Sequence, residues 1–579
     1  MKAFKYLLTS MALLTATCMT AQEMPRLSKT NDGRTQLLVD GQPFIALSGE
    51  LHNSTTGSTA YMADVWKRMA DLHMNTVIAP VTWELLEPEE GKFDYSIIDQ
   101  MIAGAQKENL KLVVLWFGSW KNGQSFYTPA WVKTDAKRFP RIKFKNGNED
   151  ITLSTLGTES RKADANAFAH LMRHIKEVDK QRTVIMMQIE NEIGTVDMRA
   201  TFQGMPNGAM RDYSDLANKA YNSQVPAALI NYLKQHKKEL HPAILNAWNA
   251  NGNKERGTWE EVFGESKTDP TTDWHTKFSF LTEEIFNAWN YATYVEEVTK
   301  AGKQEYALPM YVNAWMKQPS QTDPGIYPSG GPEAHLLDIW RAGAPSIDFI
   351  APDIYAIDIY DTICQDYLLS GNPLFIPETT KDINSASRAF YILGRYGAWC
   401  YAPFGIDGGG LTDEVNFNPI YFREVYRCLD YLMPELKERI GTDKCAGLFI
   451  NEGKLVEPVE MGKYKISMME FSSRGSAALF GSEVDDSHLP KITTSGVLVI
   501  QVAEDEFLVA GGIGGVTVSF SKGSKSKAKA VGYVSVDEIA FDKDGKVYEH
   551  RLNGDEVAYG GPTIPSGTVK MFRVKVFEY

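Results

Sequence analysis

Cysteine is scarce in this chain, five residues in 579, and no two stand in a C-x-x-C pair. That spacing excludes a cysteine-based metal centre, and so few thiols in so long a chain do not make a disulfide framework. Cys18 falls in the N-terminal leader; Cys364, Cys400, Cys428 and Cys445 read as buried free thiols or at most one bridge. Histidine is sparse as well, ten residues, with no pair beside a carboxylate at metal-ligand spacing, so metal-assisted hydrolysis has no support and no metal is expected. There is no G-x-S-x-G elbow. The glycine run "GGIGG" at 511 to 515 lacks the third glycine and the following helix of a dinucleotide site, which leaves a turn between strands and no cofactor to expect.

Positive charge is also in deficit. The formal net charge is −13 and the isoelectric point is near 5.4, whereas a nucleic-acid partner requires clustered Lys and Arg. The one basic run, "SKGSKSKAKA" at 521 to 530, spaces its lysines with Ser, Gly and Ala and has no aromatic residue to stack on a base, so it reads as a solvated loop. Long apolar runs are missing too. The stretch near the N-terminus, "MKAFKYLLTSMALLTATCMTAQ", is too short to span a bilayer and has two lysines before it and small residues after it, the layout of a secretory leader over residues 1–21 cleaved after Ala21. A lipoprotein anchor on Cys18 is the rival, weakened by Thr17 before it. No later stretch is a transmembrane candidate, which makes an exported protein, periplasmic or extracellular, the expectation.

What is present is material for large cores: 43% hydrophobic and 11% aromatic residues over a length that suits two or more domains. From residue 43 to about 405, eight short apolar runs recur, most followed by a stretch of helical period: "PFIALSGEL", "NTVIAPVTW", "LKLVVLWF", "TVIMMQIE", "LPMYVNAW", "IDFIAPDIY", "PLFIPET" and "AWCYAPF". Continuous apolar strands alternating with helices predict a parallel sheet covered on both faces, and eight of them predict a closed (β/α)8 barrel over residues 22–440. A doubly wound eight-stranded sheet is the alternative. Between the fourth and fifth runs lies a large insertion holding more than one amphipathic helix, placed to build a wall of the cleft. From 441 to 579 the texture changes to alternating strands with Gly, Ser and Asp turns, which predicts an all-β sandwich or jelly roll. In it "DKDG" at 542 to 545 lacks the further ligands of a calcium loop and reads as a hairpin turn.

In such a barrel the reactive groups stand at the C-terminal ends of the strands. In order these ends offer Glu50 and His52, Trp83 and Glu84, Trp116 and Trp120, Glu190, Asn191 and Glu192, Asn313 and Trp315, Asp353 and Tyr355, Glu378, and Phe404 with Asp407. A glutamate ending strand four and another ending strand seven would face each other across one mouth. Two such carboxyls can divide glycoside hydrolysis, one protonating the departing oxygen and the other attacking the anomeric carbon. Rim aromatics suit the apolar faces of a pyranose, and Asn, Glu and His suit its hydroxyls. The Asn-Glu dipeptide alone carries little, since it also occurs at 148–149 and 451–452. Only Asn191-Glu192 ends a barrel strand opposite another glutamate. Period-two alternation cannot choose between Glu190 and Glu192, which would share a face in a regular strand.

At this point "SGELH" at 48 to 52, "VTWELLEPEEGKFDY" at 81 to 95 and "QIENEIG" at 188 to 194 resemble the signatures of glycoside hydrolase family 35, the retaining β-galactosidases, with some likeness to family 42 in "ILNAWNANGNKERGTWEEVFG". The resemblance runs from about 35 to 435, and the β-rich tail is similar to an accessory domain in a bacterial branch of these enzymes. It implies Glu192 as acid/base, Asn191 as a ligand of the sugar 2-hydroxyl and Glu378 as nucleophile, with Glu190 left as a barrel-interior partner. Glu50, His52, Trp83, Glu84, Trp116, Trp120, Asn313, Trp315 and Tyr355 are the further candidates for holding a carbohydrate substrate. The sequence departs from the family pattern at Pro80 on strand two and at Gly118, Ser119 and Trp120 on strand three, positions that touch galactose in the relatives. The expected activity is exo-acting release of terminal β-galactosyl units. The rivals are a β-glucosidase, β-mannosidase or α-L-arabinopyranosidase on the same barrel and, in another class, a non-catalytic glycan-binding protein.

Overall fold

A computed structural model describes residues 23–198, 209–408, 419–451, 454–455, 457–471, 492–558 and 560–579. The leader, with Cys18 and the expected cleavage point, lies outside the described residues, as does Glu452. All eight apolar runs form strands: β1 (Ala46–Glu50), β2 (Thr76–Thr82), β3 (Lys111–Lys121), β4 (Val184–Asn191), β5 (Met310–Trp315), β6 (Phe349–Asp353), β7 (Ile376–Thr379) and β8 (Cys400–Pro403). Each is followed by a helix: α1 (Val65–Asp71), α2 (Ser96–Lys107), α3 (Thr158–Val178), α4 (Leu281–Glu305), α5 (Leu337–Gly343), α6 (Tyr360–Tyr367), α7 (Ile383–Tyr396) and α8 (Ile420–Arg439).

The strands pair in the order β6-β5-β4-β3-β2-β1-β8-β7, with parallel ladders throughout. Placing β1 between β2 and β8 curls the sheet round on itself, which a doubly wound sheet does not do. The seam between β6 and β7 is held by a single bridge, Ile354 to Thr379, and by the Ile354 N–H donating to the Glu378 carbonyl at 3.0 Å. Below it the Asn372 side chain stands in for a missing strand neighbour: its Oδ1 accepts from the Ile350 N–H at 3.1 Å and its Nδ2 donates to the Ile350 carbonyl at 2.8 Å.

Alternation along the strands sorts the side chains into two cores. On β3, Val113, Leu115 and Phe117 point inward and join Tyr311, Phe349, Phe375 and Trp399, with the Tyr311 and Phe349 rings stacked at 5.1 Å. Leu112, Val114 and Trp116 face the helices instead. The antiparallel strands Arg26–Lys29, Thr35–Val39 and Gln42–Pro43 close the lower end and send Leu37 and Val39 into the inner core. The insertion after β4 contributes helices Asp215–Tyr221, Ala227–Gln235, Pro242–Ala250 and Trp259–Phe263 before the chain returns along α4.

The tail folds as two antiparallel sheets. The larger has seven strands, among them β9 (Cys445–Asn451), β10 (Thr494–Ala503) and β11 (Glu506–Ile513), and the smaller has four. Their facing sides share one core, including Leu448, Val497, Val509, Val518 and Phe572. The other side of the large sheet lies against α7 and α8, with Leu498, Leu508 and Met571 packed into the barrel's outer core. "GGIGG" is only half a turn, because Gly511, Gly512 and Ile513 still pair with β10 and the chain changes sheets at Gly514 and Gly515. Asp544 and Gly545 lie in a hairpin turn, with Gly545 at φ +77°.

Candidate active site

The end of β4 settles what alternation leaves open. Glu190 and Glu192 both take left-handed backbone angles, φ +60° and +45°, which costs a residue with a Cβ about 1–2 kcal/mol. The two kinks send the carboxyls to different places. Glu190 is turned away from the barrel interior: its Oε1 accepts from the Ser119 N–H at 3.0 Å, its Oε2 accepts from the Trp120 N–H at 2.8 Å, and Asp164 of α3 lies beside it. The expectation of a barrel-interior partner is therefore corrected. A Cβ on Gly118 would lie 2.4 Å from Trp116 Nε1, 2.8 Å from Asp164 and 2.9 Å from Glu190, so this crowded packing demands the glycine that departs from the family run.

Glu192 turns into the mouth. Its Oε2 accepts from Asn122 Nδ2 at 2.6 Å, and its backbone N–H donates to Asn313 Oδ1 at 3.0 Å. Opposite, Glu378 is surrounded by donors: Oε1 accepts from Asn191 Nδ2 at 3.0 Å and from Asn313 Nδ2 at 3.4 Å, and Oε2 accepts from the Tyr355 hydroxyl at 2.7 Å. Asp353, at the end of β6, accepts from Asn313 Nδ2 at 2.6 Å. Glu192, Asp353 and Glu378 each bring a carboxyl oxygen to within 4.8 Å of the others. A cation could be shared only here among the described residues. Amide and hydroxyl donors already hold Glu378, however, and the Lys121 ammonium supplies positive charge beside the group, an arrangement that suits proton transfer.

Electrostatics follow from crowding carboxyls around one ammonium. Burial, then the charge of Glu378, pushes Glu192 up to about 8, while Lys121 and a hydrogen bond with Asp353 pull the other way. Asp353 and Glu50 are driven well above the usual carboxylate range, in both cases first by burial and next by Glu378. Burial favours a neutral Lys121, but Glu378, Glu192, Glu50 and Asp353 outweigh it and hold the ammonium above its ordinary value.

Above these residues opens a cleft of about 1480 Å³ whose lining includes Glu84, Lys121, Asn122, Trp315, Tyr355 and Phe404. Of the residues singled out in the sequence, Asn191, Glu192, Asn313, Tyr355 and Glu378 meet in one hydrogen-bonded group. Trp315 and Glu84 line the cleft, the latter paired with Lys133 at 2.8 Å. Three tryptophans do not reach it. Trp83 is buried with its Nε1 on Glu87 at 2.8 Å and an edge-on contact to Trp131. Trp116 faces α3, with its Nε1 on Asp164 at 2.8 Å and its ring against Phe168. Trp120 donates to the Leu153 carbonyl at 3.2 Å and packs edge-on against Tyr291 and Tyr294. They fall on the helix-facing side and fill core. His52 stands beside Phe404 at 5.8 Å and outside the lining, its backbone N–H held by Asp407 at 3.0 Å. Glu50 is fully buried beneath the mouth, and neither of its oxygens has a hydrogen-bond partner.

Lys121 and Asn122 were missed because β3 runs eleven residues, past the apolar "LKLVVLWF" that marks it in the sequence. Asp353 stood among the strand ends but had no pattern to single it out.

Residues 36–317 match glycosyl hydrolases family 35, and residues 422–562 match a domain of unknown function, DUF5597. The chain is 27% identical over 173 residues to a "Beta-galactosidase" of Xanthomonas manihotis, covering 28% of this chain and 26% of that protein. It is 24% identical over 185 residues to "Beta-galactosidase-1-like protein 3" of Homo sapiens, covering 30% of this chain and 25% of that protein. The alignments thus span about a quarter of these curated relatives. Among solved structures, the cold-adapted β-galactosidase of Rahnella sp. R3 superposes with a TM-score of 0.42 at 16% identity, over 67% of this chain and 56% of that one. The catalytic domain of β-amylase from Paenibacillus polymyxa gives 0.46 at 11% identity, over 65% and 97%. By the match over residues 36–317, the barrel is similar to family 35, as its motifs imply.

Proposed function

We propose that this protein is a retaining glycoside hydrolase that releases terminal β-galactosyl units from oligo- or polysaccharides. The observation that carries the reading is the pairing of two buried carboxyls under different control: Glu378 among three donors, and Glu192 raised to about 8, with oxygens within 4.8 Å of each other. Retaining enzymes hold their carboxyls roughly 5–5.5 Å apart, whereas inverting enzymes leave roughly 6.5–9.5 Å for a water.

The reaction follows from these environments. Glu192, protonated at neutral pH, gives its proton to the departing glycosidic oxygen while a Glu378 oxygen attacks the anomeric carbon and forms a sugar ester. Esterification removes the Glu378 charge, the second-largest influence holding Glu192 up. The Glu192 pKa then falls, and its carboxylate takes a proton from the water that opens the ester, restoring both groups. Asn191 holds Glu378 through Nδ2 and keeps a buried, unpartnered Oδ1. That atom is suited to accept from a sugar 2-hydroxyl. The Tyr355 hydroxyl steadies the other Glu378 oxygen until it becomes the leaving carboxylate.

A panel of aryl β-galactoside, β-glucoside, β-mannoside and α-L-arabinopyranoside tests the reading. Preferred cleavage of the galactoside with retention supports it; preference for another sugar moves the assignment within the class, a reading that the departures at Pro80 and Gly118 to Trp120 favour. Failure to cleave any of them leaves a glycan-binding protein. Export is proposed on the leader-like N-terminus and is tested by the mass of the mature protein. A start near Gln22 supports cleavage, a lipid on Cys18 the anchor, and an intact Met1 in protein from the native cell contradicts both.

A further inference from the structure

The cleft is too large for its proposed task if only one sugar is bound. A drug-sized ligand occupies a pocket of roughly 300–1,000 Å³, and this one holds about 1480 Å³. A large share of its lining comes from one stretch of chain, residues 122–151. Asn122, which holds Glu192 Oε2, begins a short turn that runs through Gly123, Gln124 and Ser125 to Phe126. The antiparallel pair Arg141–Lys143 and Glu149–Leu153 is tied to that turn, with the Thr152 hydroxyl on the Gly123 carbonyl at 3.2 Å and the Leu153 N–H on Ser125 Oγ at 2.9 Å. This hairpin is therefore a wall of the cleft beside Glu192. Since Glu192 is the group that meets the departing oxygen, this is the leaving-group side.

The wall is unusual for an exposed surface. Phe126 is 57% exposed and Ile151 53%, and both line the cleft alongside Asn146 and Asn148. Apolar faces next to amides match a pyranose, with its C–H faces and its rim of hydroxyls. The charge is one-sided. Glu84, Glu149, Asp150 and Asp197 line the cleft outside the reacting group, and Lys121 is the one cation among the described lining residues. Lys133 and Lys143 pair with Glu84 and Glu149 from beyond the lining, while the lining itself holds carboxylates around a single ammonium. Low-dielectric walls focus such a field.

We infer that the Phe126–Ile151 wall binds the leaving group of a neutral oligosaccharide at least two sugars long, and that the acidic lining rejects glycans carrying uronate or sulfate near the scissile bond. This rests on the proposed glycosidase reading.

The test uses the full protein and three substrates: an aryl β-galactoside, a neutral β-galactosyl-terminated oligosaccharide, and the same oligosaccharide bearing a uronate next to the cleaved unit. If the aryl galactoside is not cleaved, the reading beneath the inference has failed, and the other arms are not needed to see it. If it is cleaved, Phe126→Ala and Ile151→Ser should each lower the oligosaccharide-to-aryl ratio of kcat/KM by about tenfold, the effect of taking an aromatic or aliphatic side chain away from a sugar face. Both side chains are exposed, so folding is not at risk. Wild type should prefer the neutral over the anionic oligosaccharide by about tenfold at low salt, with the gap narrowing as salt screens the field. Glu149→Lys should narrow it at low salt as well. An unchanged ratio in both wall variants overturns the binding claim, and equal rates on the neutral and anionic substrates overturn the exclusion.

Discussion

The barrel and the tail bury quite different side chains. From residue 441 onward, the buried polar groups among the described residues are Thr494, Ser495, Thr517 and Ser535, none of them charged. Within the barrel, Glu50, Lys121, Asp164, Glu190, Glu192, Asp353, Glu378 and Arg388 are all buried. A buried charge is costly unless it is paired or neutralised. The tail avoids that cost inside its core, whereas the barrel carries it, in part at the mouth, where the shifted protonation states are what the proposed reaction uses. The two regions meet at α7, the helix that follows β7 and Glu378. It is capped by Asp382, whose side chain accepts from the Asn384 and Ser385 N–H groups, and it ends at Gly397 with φ +65°. The sheet approaches it so closely that a Cβ on Gly447 would lie 2.3 Å from the Tyr391 carbonyl oxygen and one on Gly496 1.9 Å from that of Ser387. Arg388 lies in this interface, its guanidinium over Tyr360 at 4.7 Å and Phe449 at 5.3 Å. The tail is therefore a second support for the segment that carries Glu378, as well as an appendage.

The largest effects should come from the barrel's two proposed reactive carboxyls, and they should differ in kind. Glu378→Ala removes the group that forms the sugar ester, so turnover of natural and activated substrates should both fall to background. Glu192→Ala should lose about 10²–10⁴-fold on natural substrates. With an aryl leaving group of low pKa it should still form the ester and then stall. Azide needs no base, so it should restore turnover of Glu192→Ala as the β-glycosyl azide and rescue Glu378→Ala, if at all, as the α-anomer. Product anomers read by NMR decide this; the same anomer from both variants, or acid/base behaviour from Glu190→Ala, would break the assignment.

Next in size is a change in the tail that should act on the whole molecule. Gly496→Val places a branched side chain where not even a methyl fits, and should cost about 1–3 kcal/mol or more as β10 and α7 separate. If the tail supports the barrel through α7, denaturant unfolding followed by tail and barrel probes should remain one transition at lower denaturant, and activity should be lost with it. A tail that melts first while the barrel stays active would make the two regions independent.

A smaller effect separates rim aromatics from core aromatics. Tyr355→Phe deletes the hydroxyl on Glu378 Oε2, and a hydrogen bond to a charged group is worth about 1.5–3 kcal/mol, so kcat/KM should drop by about tenfold or more with little change in melting. Trp120→Phe loses its bond to the Leu153 carbonyl and should cost about 1 kcal/mol of stability, leaving KM where it was. Steady-state kinetics beside thermal melts distinguishes them.

The same contrast explains what could be read before the structure. The eight strands were legible because each is a short apolar run, and Glu192 and Glu378 because strand ends converge on one mouth. Trp83, Trp116 and Trp120 misled because the aromatic residues near a strand end fall alternately on cleft and core, and one residue of register decides which. Glu190 misled for a different reason: alternation assumes extended backbone, and the two left-handed residues at the end of β4 break it. Lys121, Asn122 and the cleft hairpin were hidden because their roles depend on the full length of β3 and on a turn packed from elsewhere. The tail's docking through Gly447 and Gly496 left no trace in the pattern, since a glycine needed for close approach looks the same as one in a turn.

The subtlest expected effect links the reactive mouth to the stability of the fold through pH. Glu192 rises from 4.5 to about 8 on folding, so between those values the folded protein keeps a proton that the unfolded chain gives up. A group raised in this way contributes its full stability below about 4.5 and loses it progressively as pH climbs through about 8. Glu192→Gln cannot titrate, while its amide oxygen can still accept from Asn122. Its melting temperature relative to wild type should therefore climb between pH 4.5 and 8 and level off above. The wild-type kcat/KM should fall on its alkaline side near the same pH, because the acid form is the one that protonates the leaving oxygen. Melts of both proteins across this range, set beside the pH–rate profile, test one titration in two ways. A flat difference in melting temperature, with an alkaline limb unrelated to pH 8, would mean that the charge crowding at the mouth does not hold the Glu192 proton.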